Sequence, residues 1–238
     1  MAQLAVFQGG FSLSAAGAVL EPLEGTGWIE DVLHQLLDRS LLRMSLLEGA
    51  HARYSLLESV RLFALSAWGE PAVLEAALAR HRRWFCQVGR RCMAQSRGRL
   101  ARESLAELVV EAANLQAAWE GGVVAETVEA ALAMDGLLEV RGSGERRWRF
   151  LEQAIQRACD AGAVQIESTF WRRYGTSLHS AGERERSLEA LEKAEALLHT
   201  DPDDGLLFEL AAARAEWERR SGSLEAAQSR LQQARKYA

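Results

Sequence analysis

The chain has 238 residues, of which 48% are hydrophobic and 26% charged, and its formal net charge is −5. This length accommodates one large or two small globular domains. The negative balance gives no general reason to expect nucleic acid binding, which needs clustered positive charge. Only three prolines interrupt a composition that good helix formers dominate, so the sequence predicts a mainly α-helical protein.

The cysteines and the N-terminus bear on the compartment. The three cysteines form neither a C-x-x-C pair nor an even secreted framework, which favours a reducing cytoplasm. The N-terminus is apolar, but it has no basic start and is interrupted by Gln8, Gly9 and Gly10, so a signal peptide is not expected. No apolar run reaches the roughly 18 to 20 residues of a spanning helix, so we expect no membrane contact.

Residues 1–70 carry the signals of a small mixed domain. Helix signals, with Ser12 or Ser14 as the first N-cap, are followed by two short β-type runs and a further helix. The predicted elements are helices over 12–20 and 28–37, strands within 40–47 and 53–57, and a helix over 58–68. Helix, helix, hairpin, helix is the order of a winged helix, so we predict a winged-helix-like domain over 1–70.

Helical periodicity dominates the rest of the chain, after a break at Gly69, Glu70 and Pro71. Two long helices, 72–95 and 103–120, predict a connecting helical pair over 71–122. Residues 123–238 contain candidate repeats.

The best candidate repeat lies within residues 164–202, where large and small residues alternate at helical spacing around a turn at Gly182. The residues that carry the pattern are Trp171, Tyr174, Gly175, Leu178, Ser187, Leu191 and Ala194. They resemble the tetratricopeptide repeat (TPR), in which each unit is a pair of helices. With a poorer copy on each side, they predict a TPR-like α-solenoid of antiparallel helix pairs over 123–238.

Motifs for catalysis or cofactor binding are missing from the sequence. Lysine occurs only at Lys193 and Lys236, and neither follows a phosphate-binding glycine loop, which excludes a Walker-type NTPase. The five histidines are scattered and do not pair at metal-ligand spacing. The serines and cysteines lack a recognisable base. We therefore expect no enzymatic activity, no cofactor and no metal.

Two charge blocks follow one another along the chain. Residues 80–102 contain eight arginines and no acid, and Arg83, Arg90 and Arg97 recur every seven residues as a basic stripe. Residues 103–140 contain eight acids and no basic residue, with Glu103, Glu107 and Glu111 at helical spacing. The stripe could bind a polyanion, but neutralisation between neighbouring helices is favoured, each exposed pair contributing ~0.2–1 kcal/mol. We do not expect nucleic acid as a partner.

Six segments within residues 3–158, read in order, resemble the region downstream of the ATPase in bacterial STAND regulators, the signal-transduction ATPases with numerous domains. They are LAVFQGGFSLSAAGAVL, VLHQLLDRSLLRM, ARYSLLESVRLFALSAW, RHRRWF, EAANLQAAW and RGSGERRWRFLEQAI. In that family an NB-ARC-like module precedes the winged helix, which clamps it, and helical repeats receive a signal or a partner.

The resemblance implies a non-enzymatic regulatory or sensor fragment that carries the clamp and the repeats but not the ATPase. A nucleotide-binding ATPase domain is then an expected partner of the winged helix. Many eukaryotic relatives have Met-His-Asp where this chain has Leu56, Leu57 and Glu58. Because Leu57 cannot donate the hydrogen bond of that histidine to bound ADP, clamping by packing is expected instead.

Stacked helix pairs expose positions of the first helix of each pair to a concave groove, where a protein or a small effector can bind. Here those positions are Thr169, Arg172, Thr176 and His179, with Glu216 and Arg219 as counterparts in the next repeat.

Two other interpretations stay open at this point. The first is a DNA-binding winged-helix regulator with a TPR effector domain, in which residues 27–40 would form the recognition helix. That segment carries Glu30, Asp31 and Asp38 against Arg39 alone, which is a poor match to DNA. The second is a plain TPR scaffold or adaptor.

Overall fold

The computed structural model describes residues 1–21, 28–46, 52–67, 70–96 and 98–236. Within these ranges the protein is mainly α, with eleven α-helices, one 3-10 helix and a small three-stranded sheet near the N-terminus. The chain forms two compact units, Met1–Gly136 and Leu137–Ala238. The finer division at residues 70 and 122 stays a prediction.

Unit 1 begins with a 3-10 helix, Ala2–Val6, which is followed by a mixed segment and then by three long helices. Its elements are β1 Phe11–Ser12, α1 Leu13–Val19, α2 Ile29–Asp38, β2 Leu42–Leu46, β3 Ala52–Leu56, α3 Glu58–Ala67, α4 Pro71–Gln95, α5 Ala101–Glu120 and the first part of α6 Val124–Arg141. The predicted helices and the two predicted strands are confirmed to within two residues at the ends that the structure describes.

The sheet has the order β1-β3-β2, with both neighbouring pairs antiparallel. Strand β1 was not predicted, because a two-residue strand carries no alternation to detect. It forms because Gly9 and Gly10 have φ angles of +72° and +106°, which turn the chain so that Phe11 pairs with Tyr54. Ser12 then caps α1, its Oγ accepting a hydrogen bond from the Ala15 amide at 3.1 Å, as predicted.

The core of unit 1 is aromatic. Phe7 stacks on Phe11 with ring centroids 4.4 Å apart, and it meets His81 and Phe85 edge to face. Phe11 in turn stacks on Tyr54 at 5.9 Å. Because these rings come from the N-terminal segment, from β3 and from α4, they hold the sheet region and the long helices in one unit.

Unit 2 consists of the last part of α6 and five further helices, α7 Gly144–Asp160, α8 Val164–Ser180, α9 Arg184–Thr200, α10 Asp204–Arg220 and α11 Leu224–Ala234. From α7 onward, consecutive helices pack against one another in antiparallel pairs, and α10 contacts both α8 and α9. The turns at Gly162, Gly182 and Gly222 have φ angles of +64°, +89° and +90°. The predicted turn at Gly182 is therefore confirmed, and glycine suits it because other residues are strained there.

The helix pair formed by α8 and α9 is longer than a tetratricopeptide unit. Helix α8 begins at Val164 and α10 begins at Asp204, a spacing that exceeds the tetratricopeptide period of about 34 residues. The close approach expected at Gly175 is present, because a Cβ there would lie 2.9 Å from Leu191 Cγ and 3.1 Å from the Ser187 carbonyl oxygen. Ser187 Oγ also donates a 2.8 Å hydrogen bond to the Gly175 carbonyl, which ties α9 to α8.

Candidate functional site

A buried ion pair lies where β3 meets α5. Arg53 Nη1 is 2.8 Å from Glu111 Oε1, and both side chains are 9% exposed. Arg53 Nη2 also donates to Glu111 Oε2 and to the carbonyl oxygens of Gly10 and Val110 at 3.0–3.1 Å. The pair is therefore bidentate, and further acceptors satisfy the guanidinium, which a desolvated charge requires.

Asn114 extends this pair into a network. Its Nδ2 donates to the Gly10 carbonyl at 2.8 Å and to Glu111 Oε2 at 2.9 Å, while its Oδ1 accepts from the Gln8 amide at 2.7 Å. His81 Nε2 lies 3.2 Å from the same Oδ1. Since Oδ1 is an acceptor, the network assigns the proton of the neutral His81 ring to Nε2.

Gly10 is the backbone element on which this network closes. Its carbonyl accepts from both Arg53 and Asn114, and a Cβ on it would lie 2.8 Å from the Tyr54 carbonyl oxygen. The network is thus built from the Gln8–Gly10 loop, β3, α4 and α5. The sequence analysis missed it and grouped Glu111 with Glu103 and Glu107 as partners of the basic block, whereas Glu111 is 7% exposed and pairs with Arg53 of β3.

The thiols of unit 1 do not provide a nucleophile. Cys86 and Cys92 are buried. Burial, together with the Glu107 carboxylate, raises the pKa of Cys92 to about 12, and burial also raises the pKa of Cys86. Both thiols stay protonated at neutral pH, which is the unreactive form. The described residues contain no group of three or more His, Cys, Asp or Glu side chains that could hold a metal ion.

The predicted basic stripe lies partly on α4. Arg83 and Arg90 are both exposed on this helix, and Arg97 lies outside the described residues. Arg90 Nε pairs with Glu129 Oε1 of α6 at 3.2 Å, and the neighbouring Arg91 pairs with Glu107 of α5. These two pairs join the basic block to the acidic block, as the neutralisation hypothesis predicted.

The predicted groove residues of α8 and α10 lie in two groups. Arg172 pairs with Glu209 of α10, and its side chain is only 17% exposed. The His179 ring packs on the Trp217 ring of α10 with centroids 6.4 Å apart. Arg172 and His179 therefore lie along the seam where α8 meets α10, and sequence reasoning identified neither Glu209 nor Trp217 as their neighbours.

The remaining predicted groove residues make contacts within their own helices. The Thr169 and Thr176 hydroxyls donate to the carbonyl oxygens of Gln165 and Arg172, one turn earlier on α8. Glu216 and Arg219 pair with each other at 2.7 Å on the exposed side of α10. Whether these side chains contact a ligand stays a prediction.

The seam gives a first testable expectation. Charge reversal by Arg172→Glu places two carboxylates together between α8 and α10, so we expect it to lower the free energy of unfolding of unit 2 by about 1 kcal/mol. Adding Glu209→Arg should restore most of the loss. Arg219→Glu, at a more exposed pair within one helix, serves as the control and should cost less than about 0.5 kcal/mol. Urea unfolding of the four proteins measures this, and a double variant no more stable than Arg172→Glu alone contradicts the pairing.

Comparisons with protein-family models, with curated proteins and with solved structures find no match to this chain. No helix in the described ranges is long and apolar enough to cross a membrane.

Proposed function

We propose that this chain is a non-enzymatic regulatory or sensor region of a STAND-type signalling or transcriptional regulator. In this proposal unit 1 contains a winged helix that clamps a nucleotide-binding ATPase domain, and the TPR-like repeats of unit 2 bind a protein or a small effector. The observation that carries it is the buried network. Four segments behind the family resemblance supply its residues: Gly10 from the first, Arg53 from the third, His81 from the fourth, and Glu111 with Asn114 from the fifth.

The topology of unit 1 supports the winged-helix assignment. A short strand, two helices, a β-hairpin and a closing helix follow one another, and the first strand pairs with the last in the order β1-β3-β2. Only Leu57 separates β3 from α3. The buried network then fixes this small domain to α4 and α5, which suits a clamp that must move together with the helices that follow it.

Exposed apolar side chains support docking on unit 1. Met44 and Leu46 are 53% and 69% exposed on β2, and because side chains alternate along a strand they share a face. Leu62 and Phe63 are 54% and 57% exposed on α3. Large apolar groups left in water favour association with a partner surface. The resemblance gives the ATPase domain as that partner.

The DNA-binding alternative has less support from the surface of α2. Glu30, Asp31 and Asp38 of this helix are all exposed, so the helix that would enter the major groove presents negative charge. A plain TPR scaffold would need the repeats but not the clamp. The apolar exposure of β2 and α3 favours the clamp over the scaffold.

The test starts from the genomic DNA upstream of the first codon, where the proposal expects a P-loop ATPase of this class in frame or in the adjacent gene. That ATPase domain, produced separately, should bind the full chain in a calorimetric titration. Leu46→Asp and Leu62→Asp should each weaken this binding at least about tenfold, because each places a charge in an apolar contact. Leu231→Asp, at an exposed leucine of α11, is the matched control and should bind normally.

The outcomes separate the three interpretations. A neighbouring ATPase that does not bind, or that binds all three variants equally, overturns the clamp. A gel shift of duplex DNA that weakens steeply with salt would instead support the DNA-binding regulator. If the chain binds neither the ATPase domain nor DNA, the scaffold interpretation remains.

A further inference from the structure

His179, at the C-terminal end of α8, has hydrogen-bonding capacity that the described part of the chain does not use. Its side chain is half-buried, both ring nitrogens are screened from solvent, and neither has a hydrogen-bond partner within the described ranges. A histidine ring always carries at least one N–H donor. A buried donor or acceptor that makes no hydrogen bond costs about 1–3 kcal/mol of stability. The His179 ring therefore destabilises the fold unless a ligand binds to it.

Two groups at the C-terminal end of α10 share this property, one on the helix and one on the residue that follows it. The Trp217 indole, which packs on the His179 ring, has its N–H screened from solvent without a partner in the ranges described, and so does the Ser221 hydroxyl. Trp217 and Ser221 are one helical turn apart and thus lie on the same side of α10. An indole offers only a donor, while a hydroxyl and an imidazole can each donate. The seam between the ends of α8 and α10 therefore holds three potential donors.

The charges around His179 are mainly positive. Burial is the first cause of the lowered pKa of His179, and the Arg220 charge from α10 is the second. Arg184, which begins α9, acts in the same direction, while Glu216 opposes it. Glu216 is itself paired with Arg219. An anion bound here is attracted by the positive charges of Arg184 and Arg220. It also needs hydrogen-bond donors, which the three side chains can supply.

We propose that the seam formed by His179, Trp217 and Ser221 is a binding subsite for an oxyanion, a phosphate or carboxylate group of a small ligand. This rests on the proposed function in one respect, since the ligand would be the effector that the repeats of unit 2 receive. His179 rotates outward from Trp217 to meet the ligand, which its half-buried position allows. The bound anion then favours the imidazolium form, so binding is accompanied by proton uptake.

The probes are inorganic phosphate and acetate, each titrated into the full chain. Binding is followed through the imidazole resonances of the histidines. We expect a saturable shift at His179 with at least one probe, and the probe that binds tells a phosphate from a carboxylate site. Because the protonated ring binds the anion better, affinity for acetate, which stays mostly ionised over this range, should be at least about fivefold higher at pH 5.5 than at pH 7.5.

Variants make the assignment specific. His179→Gln keeps a donor but cannot be protonated, so it should weaken binding at least about tenfold and remove its pH dependence. Ser221→Ala should weaken binding by a smaller factor. His199→Gln, at an exposed histidine of α9, is the matched control and should leave affinity unchanged. If His179→Gln unfolds, the shift of the His179 resonance in the unaltered protein still decides whether the anion binds at this site.

No shift at His179 with either probe overturns the oxyanion subsite. Equal affinity of the chain and of His179→Gln does the same, because the anion then binds elsewhere. Neither result bears on the proposed clamp, because the clamp is tested with apolar residues of unit 1 and an ATPase domain. Loss of ATPase binding, in turn, would not alter the response of His179 to phosphate.

Discussion

Replacing Glu111 by alanine is expected to lower the free energy of unfolding of unit 1 by about 3–5 kcal/mol, the range for removal of one partner of a buried ion pair. Among the described residues, the variant leaves the buried Arg53 guanidinium with the carbonyl oxygens of Gly10 and Val110 as its acceptors. It also removes an acceptor from Asn114 Nδ2. Because proteins are marginally stable, a loss of this size should partly unfold the unit.

Hydrogen exchange of the backbone amides of α4 and α5 measures this loss within unit 1, without assuming that both units unfold together. Glu75→Ala is the matched control, since Glu75 pairs with Arg82 at 2.8 Å but is 66% exposed, and its loss should cost less than about 1 kcal/mol. The double replacement Arg53→Met and Glu111→Leu should recover much of the stability, because apolar residues of similar size need no counter-charge. Equal losses for Glu111→Ala and Glu75→Ala would contradict the burial of the pair.

The helices could be predicted because their information is local. Periodicity placed α4 and α5 within two residues, and the Ser12 cap and the Gly182 turn follow from single residues with definite backbone preferences. These signals lie within one or two helical turns. A sequence alone is sufficient for such features.

The buried network could not be predicted, because its partners are far apart along the chain. Arg53 and Glu111 are separated by 58 positions, and Gln8 and Asn114 by 106. Local spacing placed Glu111 one helical turn after Glu107 and so on the same stripe, although only tertiary packing decides which of the two becomes buried. Gly9 and Gly10 were visible in the sequence as an interruption, but the role of Gly10 depends on Tyr54 and Arg53 lying against it.

The seam of unit 2 was half predictable. The repeat pattern identified Arg172 and His179 as residues of a first helix, but it placed them in an exposed groove, whereas they contact Glu209 and Trp217 of α10. It did not give the register, because the helix pair that begins at Val164 is longer than the tetratricopeptide period of about 34 residues. The contacts of Glu209 and Trp217 with α8 follow only from that longer spacing, and Glu209 lies 37 positions after its partner Arg172.

Acid is expected to destabilise unit 1 through His81, which is 1% exposed. Burial lowers the pKa of this ring from 6.5 to about 4, with Arg82 acting in the same direction, against the weaker opposing effects of Asn114 and Glu111. The unfolded chain therefore binds a proton between pH 6.5 and pH 4 that the folded unit does not. The contribution of His81 to the free energy of unfolding is fully present above pH 6.5. It is lost as the pH drops through this window, by a total of about 3 kcal/mol.

Carboxylates also contribute to acid unfolding, so the test compares variants instead of reading one curve. His81→Gln keeps an amide donor for Asn114 Oδ1 but does not titrate, and its free energy of unfolding should vary less with pH between 6.5 and 4 than that of the unaltered chain, by about 3 kcal/mol. His34→Gln, at an exposed histidine of α2, should retain the full pH dependence. Parallel curves for the chain and for His81→Gln would mean that the folded unit accepts the proton. The network would then not be holding His81 neutral.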